Sequence, residues 1–246
     1  MYRFFIEENQ INGDTLYVDG GNAHHILHVL RMREGEDIEA ADENGYVHTC
    51  RINWIGKEDL RAQVLFSEKG DAELPNELTL YMGLPKFEKM EMIIQKAVEL
   101  GVHDVVPVVT RRTVVKLDEK KAGTKLNRWN TIAEAAAKQS KRTVIPEVRK
   151  VMTFKEALTE AKDLDLVLIP YEKAEGMAAT KAVLADIQPG QRIGIFIGPE
   201  GGFEENEVEA AIEAGAKSLT LGPRILRCET AALTILSILM FQLTQD

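Results

Sequence analysis

The feature that most limits how this 246-residue chain can fold is a change of rhythm at Leu78. Before it, short β-type runs at residues 2–6, 15–18, 37–41, 46–55 and 60–66 are separated by turn chemistry such as Asn12-Gly13-Asp14 and Glu43-Asn44-Gly45. One helix, at 24–31, interrupts them, and a small, partly closed barrel over 1–70 fits the spacing. The polar stretch from Ser67 to Glu77 carries Gly70 and Pro75 and supplies a linker, taken at 71–77. From residue 78 to 246, strands and helices alternate. Strands are expected at 78–82, 104–109, 164–169, 193–197 and 217–221. Helices are expected at 87–100, 126–140, 154–161, 177–187, 205–214 and 228–243. The 87–100 helix repeats Met90, Ile93, Ile94, Ala97 and Val98 on one face at the helical period, and Gly101 stops it. Such alternation demands a mostly parallel sheet covered by helices on both faces, an α/β fold.

Charge and cysteine content narrow the setting. The net charge of −9 argues against a generic polyanion binder. The distribution is uneven, however: residues 111–150 hold twelve Lys/Arg against four acids. Such a basic stretch on an acidic body is either an electrostatic footprint for nucleic acid or a solvated helix face and loop. Cys50 and Cys228 lie outside any CxxC pattern, so neither a disulfide framework nor a zinc site is expected. His24, His25 and His28 lack metal-site spacing and an acidic partner, and no metal is expected. The N-terminal residues do not read as a secretion signal. The longest apolar run, 231–243, falls short of the ~20 residues that span a bilayer. A soluble cytoplasmic protein with no membrane partner is the expectation.

Two late loops concentrate the chemistry. Gly198-Pro199-Glu200-Gly201-Gly202 follows the apolar run ending at Ile197, and Leu221-Gly222-Pro223-Arg224-Ile225-Leu226-Arg227 leads into Cys228-Glu229-Thr230-Ala231. Both are strand-to-helix transitions, the place where open α/β sheets bind ligands. The first lacks the Lys-Ser/Thr ending of a triphosphate loop and is not GxGxxG. Pro199 removes a donor and Glu200 repels phosphate, so a cationic or adenosine-like ligand fits better than pyrophosphate. Taken alone, this loop is equally a plain glycine-rich turn. The second loop places Arg224 and Arg227 at a helix N-terminus, against the helix dipole, with Thr230 or Glu229 available as a cap. A local conflict of that kind points to function.

Together the two loops resemble the cofactor signature of the SPOUT methyltransferases. The resemblance is strongest to the ribosomal RNA small subunit methyltransferase E family, bacterial 16S rRNA uridine-N3 methyltransferases. Further stretches carry it along the whole chain: His24-His25 with Val29-Leu30-Arg31, Gln95-Lys96 with Glu99-Leu100-Gly101-Val102, Arg128-Trp129 with Gln139-Ser140-Lys141-Arg142, and Ile169-Pro170-Tyr171-Glu172. One departure is Glu204, where the family pattern has Ser or Thr as a helix cap; Glu207 is placed to bond back. The resemblance implies an N-terminal PUA-like β-barrel, a C-terminal SPOUT domain with a deep trefoil knot, a homodimer, and S-adenosylmethionine as cofactor. It implies that Ile169, Pro170, Ile197, Gly198, Pro199, Glu200, Gly201, Gly202, Leu221, Gly222, Ile225, Leu226, Thr230 and Ala231 hold the cofactor, with Glu200 beside its sulfonium.

The same resemblance implies methylation at N3 of a 16S rRNA uridine in the small ribosomal subunit. Other readings are a SPOUT enzyme acting on a ribose 2′-hydroxyl, and a non-catalytic ribosome-assembly factor. Uridine N3 is a poor nucleophile until its proton leaves, so a base or a cation must help. Arg227 and Arg142 are the candidates for charge stabilisation. Glu99, Glu134 and Glu229 remain open as a base, with Glu229 equally explained as a cap. His25, Arg31, Arg111, Arg112, Arg128, Lys138, Lys141 and Arg224 are the expected RNA contacts. Trp129 reads as core before stacking platform, and Cys228 as a buried helix residue.

Overall fold

The computed structural model describes residues 1–86, 89–115, 118–174 and 176–244. They divide into two compact units: Met1–Glu73 with Ala137–Ile145, and Leu74–Ala136 with Pro146–Asp246.

The first unit holds strands β1 (Arg3–Phe5), β2 (Ile11–Asn12), β3 (Thr15–Val18), β4 (Asp37–Ala41), β5 (Tyr46–Ile55) and β6 (Leu60–Lys69). They form one six-stranded sheet in the order β1-β4-β5-β6-β3-β2. The pair β1–β4 is parallel and the others are antiparallel. Period-two alternation sends Leu16, Val18, Ile38, Cys50, Ile52, Leu60 and Ala62 into one core with Phe4 and Ile26. The expected helix at 24–31 starts earlier, as α1 (Gly20–His24), and continues as a π-helical turn over His25–Val29. Gly20 and Gly21 form its first turn. Its end is closed by Met32 N–H bonding to Ile26 O at 3.0 Å, with Arg31 in the left-handed region at φ 54°. That position normally takes glycine.

The second unit is built on β7 (Glu77–Gly83), α2 (Lys89–Glu99), β8 (Asp104–Val109), α3 (Glu119–Gln139), β9 (Glu147–Val148), β10 (Met152–Thr153), α4 (Phe154–Ala161), β11 (Leu166–Pro170), α5 (Met177–Ala185), β12 (Arg192–Ile197), α6 (Glu205–Glu213), β13 (Lys217–Leu219) and α7 (Cys228–Leu243). The last residues of α3 belong to the first unit. The expected start of α2 at Phe87 lies outside the described residues, as does Lys116 of the basic stretch. The α3 helix begins well before the expected residue 126, because the polar turns 119–125 add no apolar signal to the period.

The strands of this unit pair in parallel throughout, in the order β10-β8-β7-β12-β11-β13, with β9 beside β8. Helices α4 and α6 bury Ala157, Leu158, Val208 and Ala211 against Tyr81, Val106 and Phe196 on one face. Tyr81 and Phe196 stack at 4.4 Å. The alternate residues of the same strands point to the other face, where α2 and α7 pack together. The path of the chain matters for the site. From β11 it moves inward to β12, then returns past β11 to β13. The order therefore reverses around β11, and the loops leaving the carboxyl ends of β11, β12 and β13 meet there.

Candidate active site

Those three loops enclose a cavity of about 740 Å³, within the range of small-molecule sites. Its walls are Pro170–Met177 after β11, Gly198–Phe203 after β12, and Thr220–Leu226 with Cys228 and Ala231 at the start of α7, Glu175 lying outside the described residues.

Each loop is held by identifiable bonds. Tyr171 N–H donates to Leu219 O at 2.9 Å, tying the first loop to β13. In the second, Gly202 N–H donates to Pro199 O at 2.8 Å and makes a tight turn. A Cβ on Gly198 would fall 2.8 Å from the Gly202 carbonyl carbon, and one on Gly83 would fall 2.6 Å from the Pro199 nitrogen. Only backbone without side chains can pack this closely. In the third, the buried Thr180 hydroxyl accepts Thr220 N–H at 3.0 Å and donates to Thr220 O at 3.2 Å. The Thr220 hydroxyl in turn accepts Gly222 N–H at 3.2 Å. Gly222 sits at φ 108°, a conformation its neighbours could not adopt cheaply.

At the cavity wall formed by Glu200 and Cys228 lies a charged cluster that sequence reasoning did not assemble. The Lys89 ammonium reaches Glu200 at 3.3 Å and Glu229 at 3.4 Å. Glu200 also accepts Lys86 N–H at 3.0 Å, and the Cys228 thiol donates to Glu229 at 3.1 Å. For both carboxylates, burial opposes ionisation, but backbone N–H groups and Lys89 outweigh it and hold them below the usual range. Burial and the adjacent Glu229 push the Cys228 thiol up to about 12. Lys89 had no motif to flag it; its role comes from α2 packing beside α7. The cluster changes two readings. The Glu200 carboxylate is engaged in bracing its own loop, and Glu229 is a saturated first-turn carboxylate of α7, the chemistry of a helix start and a poor general base. Thr230 makes no cap: Arg227 is the N-cap residue and no side-chain bond closes the position. At α6, Glu204 N–H donates to Glu207 at 2.9 Å, as a capping box requires, and Glu207 also accepts Arg111 N–H at 2.9 Å.

Most of the expected cofactor residues line the cavity; Ile169 is buried in its strand behind it and Thr230 points outward. Tyr171, Met177, Phe203 and Thr220 join them. The expected cations separate into two groups. Arg112 and Arg224 line the cavity, and Arg112 donates to Gly201 O at 2.7 Å. Arg227 stands exposed at the N-cap of α7, and the exposed Arg111 opens on a second, shallower pocket beside Lys155. Four others, Arg142, Lys141, Lys138 and Arg128, are spent on internal partners. Arg142 is a correction: its guanidinium is buried and bonds Glu73 at 2.5 and 3.1 Å, inside the first unit, so it is a structural ion pair. Lys141, at φ 63°, is locked to Glu39 at 2.9 Å, and Lys138 reaches Asn22 at 3.4 Å. Arg128 grips Glu91 with two bonds of 2.7 Å. His25 packs edge-on against Phe4, and Arg31 is exposed. Much of the basic stretch therefore neutralises the protein's own acids. Glu99 is paired with Lys96, Glu134 lies on α3, and Trp129 is buried.

Two known protein families match successive parts of the chain. Residues 72–240 match the RNA methyltransferase domain family, and residues 18–65 match the RNA methyltransferase PUA domain family. The ribosomal RNA small subunit methyltransferase E of Bacillus subtilis is 39% identical, the match covering 98% of this chain and 97% of that protein. The chain belongs to the ribosomal RNA small subunit methyltransferase E family. Solved structures of related proteins agree. The Neisseria gonorrhoeae ribosomal RNA small subunit methyltransferase E bound to S-adenosyl methionine superposes with a TM-score of 0.83 at 34% identity, covering 98% of this chain and 97% of that one. A Legionella pneumophila methyltransferase in complex with the same cofactor gives 0.84 at 31%, with the same coverage. For this family member, the mixed α/β architecture with a PUA-type unit preceding a SPOUT-type methyltransferase unit is established. Among the described residues no helix is long and apolar enough to cross a membrane.

Proposed function

We propose that this chain transfers the methyl group of S-adenosylmethionine to N3 of a uridine in 16S rRNA of the small ribosomal subunit. The observation that carries the reading is the convergence of three braced loops on one cavity, with Arg224 on its wall and Arg227 beside it, its guanidinium without a hydrogen bond or ion pair among the described residues. In this reading residues 1–70, with Ala137–Ile145 gathered into the same unit, are the RNA-binding PUA-like unit, 71–77 the linker, and the rest of 78–246 the catalytic unit with a knotted chain path. The return of the chain past β11 supports that path.

The residues fit the cofactor. A glycine-walled slot at Gly198, Gly201 and Gly202 exposes backbone to a ligand, and Leu221, Ile225 and Leu226 offer an apolar wall for an adenine. When bound, S-adenosylmethionine supplies an electrophilic methyl on a sulfonium, and the protein's part is positioning and electrostatics. Arg227, with Arg224, donates hydrogen bonds to the uracil carbonyl oxygens as N3 gives its proton to solvent water. The target base is unstacked to reach the cavity. Arg111, Arg112 and the exposed Arg31 contact RNA phosphate. Exposed apolar side chains on and before α7, Ile225 at 88% and Phe241 at 84%, support association with a second copy.

The test is incubation with labelled S-adenosylmethionine and unmodified small subunits, followed by mass spectrometry of the labelled nucleoside. 3-Methyluridine is expected, and Arg227→Ala abolishes its formation while cofactor binding persists. A ribose-methylated nucleoside would refute the N3 assignment.

A further inference from the structure

The outer face of the six-stranded sheet carries an arrangement the methyl-transfer chemistry does not use. Tyr17 on β3, Arg61 on β6 and Trp54 on β5 form one cross-strand row. The Arg61 guanidinium lies 5.5 Å from the Tyr17 ring centre and 4.9 Å from that of Trp54, within cation–π range of both. The aromatic rings are exposed, Tyr17 at 43% and Trp54 at 40%. Strict alternation along β5 would not align this row. The register shift between Ile52 and Trp54 re-aims the indole to stand beside Arg61. Gly56 makes room for it: a Cβ there would fall 2.6 Å from the indole ring. Among the described residues the Arg61 side chain has no hydrogen bond or ion pair, so its position is set by the two rings and its guanidinium N–H groups stay open. The neighbouring row differs. There Thr15, Gln63 and Arg51 follow one another across the same strands, and Asp37 takes Arg51 in two bonds of 2.8 and 3.0 Å.

We infer that the Tyr17–Arg61–Trp54 row is a stacking platform for unpaired bases of single-stranded RNA, with Gln63 and Thr15 beside it to meet base edges. This rests on the RNA-methyltransferase reading above. Flat, exposed π-faces separated by one planar cation suit successive bases, and the open guanidinium edge suits a phosphate; the sheet surface is pre-shaped, so little ordering is needed on binding. The acid that would close the cation off is present in the next row and engaged by Arg51, which leaves Arg61 the complementary charge for an anionic strand.

The test uses the full chain and a fluorescein-labelled oligouridylate of about 12 nucleotides, read by anisotropy. Trp54→Ala and Tyr17→Ala each raise the Kd about tenfold, the scale of one lost base stack. Trp54→Phe keeps a ring and stays within about threefold. Arg61→Met weakens binding and flattens the salt dependence. Binding also quenches the fluorescence of exposed Trp54, and Trp54→Phe removes that quench because Trp129 is buried. In methyl transfer to subunits, the platform variants raise KM and leave kcat; their S-adenosylmethionine affinity, measured alongside, reports that they are folded. Unchanged oligonucleotide affinity in Trp54→Ala, Tyr17→Ala and Arg61→Met would overturn the proposal while leaving the enzyme reading intact. So would variants that alter sedimentation of the protein and not RNA affinity, which would make the row a protein interface. If the unsubstituted chain binds and quenches as described but methylates no RNA, the platform stands and the enzymatic reading fails.

Discussion

Arg142 offers the sharpest test of structural against catalytic reasoning, through Arg142→Met. The substitution keeps most of the aliphatic stem and removes the guanidinium. In the native protein that group bonds Glu73 through Nε at 3.1 Å and Nη2 at 2.5 Å, and its side chain is only 4% exposed. Removing one member of a buried pair costs roughly 3–5 kcal/mol, because the other charge is left behind. Glu73 retains the N–H groups of Thr143 at 2.8 Å and Val144 at 3.2 Å, and its side chain is 26% exposed. The low end, about 3 kcal/mol, is therefore expected. At an m-value of about 1–1.5 kcal/mol/M for a small unit, the urea midpoint of the first unit falls by about 2–3 M. Trp54 lies in that unit and Trp129 in the other, so fluorescence of the Trp129→Phe and Trp54→Phe backgrounds separates the two transitions. The loss should depend on pH. Burial alone would raise the Glu73 carboxyl, but Arg142 and the two N–H groups outweigh it and hold it below its ordinary value. A carboxylate depressed in this way stabilises the fold fully above its unfolded pKa, and the benefit fades as pH falls through the folded one. The gap between Arg142→Met and the parent is thus full at neutral pH and closes in acid, below about pH 4.5. Cofactor affinity, measured by calorimetry on the folded variant, should change by less than about twofold. An unchanged urea midpoint together with lost turnover would refute the argument and return Arg142 to the chemistry.

Three further outcomes follow from the loops. Gly83→Ala sets a Cβ 2.6 Å from Pro199 backbone, so the Gly198–Gly202 turn must move; calorimetry should show cofactor affinity down about tenfold or more with the thermal transition retained. Thr180→Val leaves Thr220 N–H without its partner at 3.0 Å, and thermal denaturation should register a loss of about 1–3 kcal/mol. Cys228, buried and with its thiol pushed up to about 12, should resist iodoacetamide at pH 8 in the folded protein and react only after denaturation, as mass spectrometry of the peptide would report.

The two architectures were legible because hydrophobic period survives in a sequence: two in Leu16-Tyr17-Val18, and 3.6 through Met90, Ile93, Ile94 and Ala97. The two late loops were legible because glycine at a strand end has few uses other than close approach or a left-handed turn. Element ends were less so. The first turn of α1 is Gly20-Gly21-Asn22, a turn by composition, and α3 opens with polar residues that carry no period. Pairing of charges was not legible at all. A run of Lys and Arg looks the same whether it awaits RNA or already holds Glu39, Glu73 and Glu91 from distant segments.

The sequence by itself determined the strand–helix alternation, the position of the glycine loops and the kinship that names the chemistry, since each of these is a local pattern or a spacing along one chain. Tertiary structure decided the rest. It brought β11, β12 and β13 into the order that gathers three loops on one cavity. It gave Lys89 two carboxylates to brace and removed Arg142 from the candidates for catalysis. It also aligned Tyr17, Arg61 and Trp54 through a single register shift. These depend on which strands become neighbours and in what register, a choice made by the packing of the whole chain and written in no one segment of it.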